Sequence, residues 1–315
     1  MRILFVKTSS LGDVVHNCPA VSEVARRVPG ASIDWMVEES FAEIAALHAS
    51  VSRVIPVAIR RWRGALASAA TWSEFGRLRR ALRRERYDCV IDSQGLVKSA
   101  LLCALASGPK HGFDRASARE PFAARFYDQR HAVPQALHAV ERNRRLAASA
   151  LGYAAQGECD YGLRAPGDAP IEARRPFALL LTMTSRGDKL WPEEHWRSLA
   201  AALEARGLQC VFPWGSEEER RCCARIAAGI RGALVPRRMR LAELARLMRH
   251  ARLAAGVDTG LAHLAAALGV PAVGIYCGSD PALTGLYGSA RAHNLGESGK
   301  PPAAGEVLEA LEGLL

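Results

Sequence analysis

The chain has 315 residues, 49% of them hydrophobic and 23% charged, with a formal net charge of +10. That length exceeds one average core and suits two domains. The composition is that of an ordered globular protein and excludes both a disordered chain and a membrane-embedded bundle. The longest strictly apolar run, Ala100-Leu101-Leu102-Cys103-Ala104-Leu105-Ala106, falls far short of the ~20 residues a membrane-spanning helix needs.

Met1-Arg2 leads into a short apolar strand, Ile3-Leu4-Phe5-Val6, closed by Lys7. The apolar core of a signal peptide is missing, so a cytosolic protein is expected. Short apolar runs then alternate with helical patterns. Ile3 to Val6 precedes a helix over 14–28, Ile33-Asp34-Trp35-Met36-Val37 precedes one over 41–48, and Val54-Ile55-Pro56-Val57 precedes one over 72–84. Cys89-Val90-Ile91-Asp92 precedes a turn and a helix over 96–106. Such alternation implies βαβ units and a parallel sheet. Residues 161–176, which hold Gly162, Pro166, Gly167, Pro170 and Pro176, break the rhythm. They predict a boundary between an N-terminal domain, 1–165, and a C-terminal one, 166–315.

The second domain restarts with Phe177-Ala178-Leu179-Leu180-Leu181 and a helix over 192–205. Further strands are predicted at 208–212, 233–235, 253–255 and 272–275. Two doubly wound α/β domains in tandem follow, with chemistry expected in the loops after each strand. The eight cysteines include no Cys-x-x-Cys pair. A reduced compartment and no zinc site are expected.

The loop after the first strand, Lys7-Thr8-Ser9-Ser10-Leu11-Gly12-Asp13, lacks the glycine spacing of dinucleotide folds and the ending of a P-loop. Asp13 there is either a helix cap or, facing an interdomain cleft, a general base. After the first strand of the second domain, Thr184, Ser185, Arg186 and Lys189 precede a proline-started helix and suit anionic oxygens, with Lys189 either a phosphate contact or a solvated surface lysine. Glu217-Glu218-Glu219 opens another helix, either bonding ribose hydroxyls or complementing the helix dipole. In Asp258-Thr259-Gly260-Leu261-Ala262-His263 a strand ends, a turn follows and a small-residue helix begins. Its free amides suit a diphosphate, and Gly260 lets the ligand approach. Asp258 reads as a cap or a sugar ligand, and His263 as a buried helix histidine or a donor contact. No Asp-x-Asp motif, metal-ligand cluster or Gly-x-Ser-x-Gly elbow occurs, so no metal is expected and an α/β-hydrolase is disfavoured.

Together these segments resemble the bacterial lipopolysaccharide heptosyltransferases. The resemblance rests on Lys7 to Asp13, Val54-Ile55-Pro56-Val57-Ala58-Ile59-Arg60-Arg61-Trp62-Arg63, Asp92-Ser93-Gln94-Gly95-Leu96-Val97-Lys98-Ser99, and Ala118-Arg119-Glu120-Pro121. Lys189-Leu190-Trp191-Pro192-Glu193-Glu194-His195-Trp196 and the Asp258 to His263 segment complete it. The first two are those of the type I members, which move heptose from ADP-heptose to the Kdo of Kdo-lipid A. Two departures stand out: Thr182-Met183-Thr184-Ser185-Arg186 replaces the family's His-Ala-Thr-Thr-Arg, and Gly64 stands where a further basic residue is frequent.

The resemblance implies a GT-B architecture of two Rossmann-like domains facing across a cleft, inversion at the transferred carbon, and ADP-heptose as co-substrate without a cofactor. It gives Asp13 as the base, with Lys189 meeting the leaving diphosphate. Thr184, Ser185, Lys189, Glu217 or Glu219, Met239 at the adenine, Asp258, Thr259, Gly260, Leu261 and His263 form its donor set. Counting back from Met239 favours Glu219 over Glu217. Ser9, Ser10, Gly12, Arg60, Arg61, Arg63 and Arg119 form its acceptor set, the arginines meeting carboxylates and phosphates. Peripheral contact with the anionic cytoplasmic face of the inner membrane is expected, and no nucleic-acid partner. The competing readings are a type II or other nucleotide-sugar transferase, a nucleic-acid binder using the arginine excess, and a non-catalytic Rossmann-type module.

Overall fold

The computed structural model describes every residue except 172, 174 and 315. It divides into two compact units, Met1–Gly162 and Leu163–Leu315. Unit 1 runs β1 (Arg2–Val6), α1 (Leu11–Arg27), β2 (Ser32–Glu38), α2 (Ala42–Ala46), β3 (Val51–Val57), α3 (Ile59–Gly64) and α4 (Ala69–Arg84). It continues with β4 (Cys89–Asp92), α5 (Val97–Cys103), β5 (Lys110–Phe113), β6 (Gln129–His131) and α6 (Ala139–Leu151). Unit 2 runs β7 (Phe177–Leu181), α7 (Glu193–Ala205), β8 (Gln209–Val211), α8 (Glu217–Ala227), α9 (Leu241–Arg249) and β9 (Leu253–Val257). Then come α10 (Gly260–Ala267), β10 (Ala272–Ile275), α11 (Pro281–Thr284), β11 (Ala292–Leu295) and α12 (Ala304–Glu312).

Each unit holds one parallel sheet. The order is β3-β2-β1-β4-β5-β6 in unit 1 and β11-β10-β9-β7-β8 in unit 2. Central strands such as β4 and β7 are buried along their whole length, which is why they read as unbroken apolar runs rather than alternating ones. Pro56 sits inside β3; it is tolerated because β3 is an edge strand, with one side free of ladder bonds. The two orders reverse direction between β1 and β4 in unit 1 and between β7 and β9 in unit 2. Adjacent connections leave in opposite directions at such a point, opening a crevice beyond the carboxyl ends of the strands.

Residues 233–235, predicted as a strand, form only a single bridge, Leu234 to Val211. Leu234 N–H donates to the Cys210 carbonyl at 2.8 Å and its own carbonyl accepts from Phe212 N–H at 2.9 Å. Pro236, without an N–H, follows and stops the ladder. Conversely, β5 and β6 fall on Lys110-His111-Gly112 and Gln129-Arg130-His131, whose polar character hides them from a hydrophobicity pattern.

Helices α1 and α6 pack together, α1 against β2 and α6 against β4, β5 and β6. Between them lies a buried ion pair: Arg144 Nε donates to Glu23 Oε2 at 2.7 Å, and the two side chains are 7% and 1% exposed. The remaining lone pairs and protons are satisfied as well, Glu23 Oε1 by Gln156 N–H and the Arg144 guanidinium by Glu141 and the Gly157 carbonyl. Arg144→Met leaves the Glu23 charge buried without its cation and should destabilise unit 1 by about 3–5 kcal/mol in urea unfolding. The double variant with Glu23→Leu should recover most of that loss; a single variant within experimental error of the parent would refute the pair's role.

Lys7, at the end of β1, is 5% exposed. Its ammonium donates to the Ser93 carbonyl at 2.7 Å and Asn143 Oδ1 at 3.4 Å. Burial lowers its pKa to about 8 against the pull of Asp13. Between about 8 and the ordinary 10.5 the unfolded chain therefore binds more protons than the folded one, and stability rises with pH across that window. Lys7→Met should remove a rise of at most about 3 kcal/mol from the stability profile between those pH values. Identical slopes in parent and variant would contradict the assignment.

Candidate functional site

In unit 1 the reversal between β1 and β4 is stitched by side chains from both strand ends. Asp92, buried at the end of β4, accepts from Gln94 N–H at 2.9 Å and from Tyr127 Oη at 2.8 Å. This fixes the turn that aims Gln94 at the neighbouring loop. Gln94 Oε1 then accepts the N–H groups of Thr8 and Ser9 at 3.0 and 3.2 Å. Gly95 has a φ of +68°, and a Cβ there would stand 3.1 Å from Phe113 and 3.4 Å from the Arg119 nitrogen. The missing side chain admits the segment carrying Arg119, whose neighbour Glu120 donates its N–H to the Gly95 carbonyl at 3.0 Å.

Asp13 is the third residue of α1, after Leu11 and Gly12. Its Oδ2 accepts Ser10 N–H at 2.8 Å, so it does reach back to cap its own helix. That contact does not exhaust the carboxylate. Arg119 Nη1 lies 3.3 Å from Oδ2 and 3.4 Å from Oδ1, with the aspartate side chain 20% exposed. Burial by itself would raise the Asp13 pKa; Lys7, Arg119 and the Ser10 amide outweigh it and hold the group below the usual carboxylate range. The result is an ionised, partly accessible carboxylate beside an exposed guanidinium.

Ser9, Ser10, Gly12 and Arg119 thus gather around Asp13. Arg60, Arg61 and Arg63 do not. They lie on α3, beyond the edge strand β3, and among the described residues no hydrogen bond or ion pair links them to Asp13. Glu38, at the end of β2, accepts the N–H groups of Ile59 and Arg60 at 3.2 Å each and so caps α3. Arg60 lies over the Phe41 ring at 5.6 Å, and Arg61 is paired with Glu39 at 3.1 Å and Glu74 at 3.0 Å.

Unit 2 also pairs an aspartate with a cation at its strand reversal. Asp258 follows β9 and Lys189 lies in the loop after β7, on the two sides of the reversal. Lys189 Nζ and Asp258 Oδ2 are 2.5 Å apart. Ser279 Oγ donates to the same oxygen at 2.5 Å, His263 Nε2 stands 3.5 Å from Oδ1, and Thr184 Oγ1 donates to the Asp258 carbonyl at 3.1 Å. Burial would raise the Asp258 pKa, but these partners hold it far below the carboxylate range. Gly256 allows the close stack behind this: a Cβ there would be 3.0 Å from both Ala262 and Leu181. Helix α10 can therefore sit tight on β7 and β9, its first turn over the strand ends.

At that first turn Ala262 N–H donates to the Thr259 carbonyl at 3.0 Å and His263 N–H to the same oxygen at 3.4 Å. The N–H groups of Gly260 and Leu261 have no acceptor among the described residues, as the start of an α-helix dictates. With the Lys189 ammonium nearby on Asp258, they form a place for anionic oxygens. Ser185 is exposed in the same loop as Lys189.

The other predicted donor residues stand apart from this cluster by bonding. Glu219 caps α8, its Oε2 accepting Gly215 N–H at 2.6 Å and Ser216 N–H at 3.2 Å. Glu217 is tied to Arg220 at 2.7 Å. Met239 is 8% exposed in the turn before α9.

Four residues brought into these clusters had no predicted role. Lys7, Gln94 and Lys98, whose Nζ donates to Ser9 Oγ at 3.2 Å, belong to the first; Ser279 belongs to the second. Each lies at or after the carboxyl end of a strand, so the rule that pointed to Asp13 and Asp258 also covers them. Only pairing across strands selects them from their neighbours.

The family described as glycosyltransferase family 9 (heptosyltransferase) matches residues 75–308. The lipopolysaccharide heptosyltransferase 1 of Escherichia coli (strain K12) is 47% identical over 292 residues, covering 91% of each chain. The solved structure of the E. coli heptosyltransferase WaaC with ADP superimposes with a TM-score of 0.92 at 43% identity, covering 100% of both chains. The same enzyme with ADP-2-deoxy-2-fluoro heptose superimposes at 0.89, with the same identity and coverage. With the family matched over most of its length and both Rossmann-like sheets in place, this chain is a member of glycosyltransferase family 9, the heptosyltransferases.

Proposed function

We propose that this chain transfers heptose from ADP-heptose to the Kdo of Kdo-lipid A, with inversion at the transferred carbon, at the cytoplasmic face of the inner membrane. The observation that carries the reading is that each unit gathers its functional charges at its own strand reversal. Unit 1 has a carboxylate held ionised beside a guanidinium; unit 2 has an ammonium beside two free helix amides. Relatives whose solved structures hold ADP and a fluorinated ADP-heptose support the choice of donor.

The diphosphate lies at the amides of Gly260 and Leu261, with Lys189 shared between it and Asp258. Thr184, Ser185, Thr259 and His263 line the donor, Met239 meets the adenine, and Glu219 or Glu217 the ribose. The acceptor lies against Ser9, Ser10 and Gly12, its carboxylate drawing Arg119 away from Asp13 in a charge-assisted pair. Loss of that guanidinium raises the proton affinity of Asp13 just where a base is needed. Asp13 takes the proton of the attacking Kdo hydroxyl, and the oxygen forms its bond to the anomeric carbon. The bond from that carbon to the phosphate oxygen breaks, and ADP leaves with the electron pair. Lys189 and the helix amides meet the charge that develops on it. Arg60, Arg61 and Arg63 meet the anionic groups of the acceptor away from the reacting carbon.

Asp13→Ala should lower turnover by about 10²–10⁴-fold, with ADP affinity unchanged by calorimetry. Retained turnover, or a product of retained anomeric configuration by NMR, would sink the mechanism. Lys189→Met should weaken ADP binding by roughly 10–100-fold, because a charge-assisted contact to the diphosphate is lost. Equal affinity in variant and parent would remove Lys189 from the donor site.

A further inference from the structure

Part of the arginine complement of this chain is neutralised where it stands. Arg53, Arg61, Arg144, Arg220, Arg225 and Arg237 each pair with a carboxylate. Helix α4 gathers several that are not. Thr71 and Leu82 are buried and Leu78 packs against the unit 1 core, so 71, 75, 78 and 82 form the inward stripe. The outward face carries Arg79, Arg80, Arg83 and Arg84, all exposed and none with an ion pair among the described residues. With Gly76 they wall an open concavity of about 410 Å³.

The same helix presents apolar surface where globular proteins avoid it. Trp72 is 60% exposed and Leu66, just before the helix, 61%. Trp72 Nε1 donates to the Leu66 carbonyl at 2.8 Å, and its ring packs edge-on against Phe75 at 6.3 Å. The two are thereby held side by side as one apolar point. Trp72, Gly76, Arg79 and Arg83 follow at i, i+4, i+7 and i+11, so this point shares a face with two of the guanidiniums, and Arg80 and Arg84 flank them around the same concavity.

We propose that this face, Leu66 and Trp72 with Arg79, Arg80, Arg83 and Arg84, is the surface by which the chain docks on an anionic phospholipid bilayer. The headgroups neutralise guanidiniums that no carboxylate meets among the described residues, while Trp72 and Leu66 enter the interfacial layer. A nucleic acid satisfies the charges but not the apolar point, and the face offers one exposed ring rather than the succession of rings on which bases stack. The inference rests on the proposed lipid-linked acceptor for its purpose alone. It leaves Arg60, Arg61 and Arg63 to that acceptor.

The binding test needs neither donor nor acceptor. The full chain is sedimented with vesicles of phosphatidylcholine, alone or mixed equally with phosphatidylglycerol, at low and high salt. Binding is expected to the mixed vesicles only and to weaken with salt. The variant Arg79→Gln, Arg80→Gln, Arg83→Gln, Arg84→Gln should bind them about a hundredfold more weakly, since each cation at an anionic surface contributes severalfold. It keeps its helix, because glutamine is a good helix former at exposed positions. Removing as many charges at Arg26, Arg27, Arg164 and Arg231 should change little. Tryptophan emission should be quenched by brominated lipid in the parent and much less in Trp72→Phe. Equal binding by the arginine variant, equal binding to neutral vesicles, or capture of nucleic acid without vesicle binding would each overturn the proposal. So would lost turnover of the folded arginine variant on a water-soluble acceptor, which would place α4 in the acceptor site. Heptose transfer to that acceptor by the parent stays measurable whatever the vesicles show, so the two readings fail separately.

Discussion

The reversal of strand order within each sheet is the constraint from which the rest of the site descends. In a parallel sheet every strand needs a crossover, and adjacent crossovers that leave to opposite sides cannot both cover the carboxyl ends between them. In unit 1 that uncovered place lies between β1 and β4, and in unit 2 between β7 and β9. The loops there are free to carry polar residues that the strands cannot. They are also close enough to bond to one another, as Gln94 does to Thr8 and Lys189 to Asp258.

The two places solve opposite electrostatic problems with the same parts. Each holds an aspartate whose ionised form is favoured over the cost of burial. At Asp258 two partners are short, Lys189 and Ser279 at 2.5 Å each, and His263 completes the surround, so the carboxylate organises cation and helix start together. At Asp13 the partner cation is longer and more exposed, Arg119 at 3.3 Å, while the buried Lys7 supports from below without touching it. A loosely paired carboxylate can exchange its partner for a ligand, and a tightly paired one acts as a fixed part of the frame.

The surface follows a similar division. Arginines near acidic helix starts, such as Arg220 beside Glu217 and Arg225 beside Glu193, are spent within the chain. Arg79, Arg80, Arg83 and Arg84 on α4 have no ion pair among the described residues, and the one glutamate of the helix, Glu74, turns to Arg61 and Trp62. Unpaired positive charge therefore collects along this helix. The place where it collects also exposes a tryptophan.

Much of this was legible in the amino-acid order. The apolar runs at 89–92, 177–181 and 272–275 become β4, β7 and β10 with those bounds, because strands buried on both faces need continuous apolar side chains. The loops of Asp13, Lys189 and Asp258 were legible too, since they follow such strands. The polar strands β5 and β6 were not, because their place is set by neighbours already in the sheet rather than by their own hydrophobicity. Nor could the sequence tell that Asp13 both caps α1 and meets Arg119, 106 residues away, or that Ser279 reaches Asp258. Sequence by itself determined the apolar strands, the approximate places of the helices and the residue types at the strand ends, which depend on local periodicity and capping. Strand order decided which of those ends stand side by side, and with them which charges are paired, which stay exposed and which carboxylate keeps a partner it can exchange.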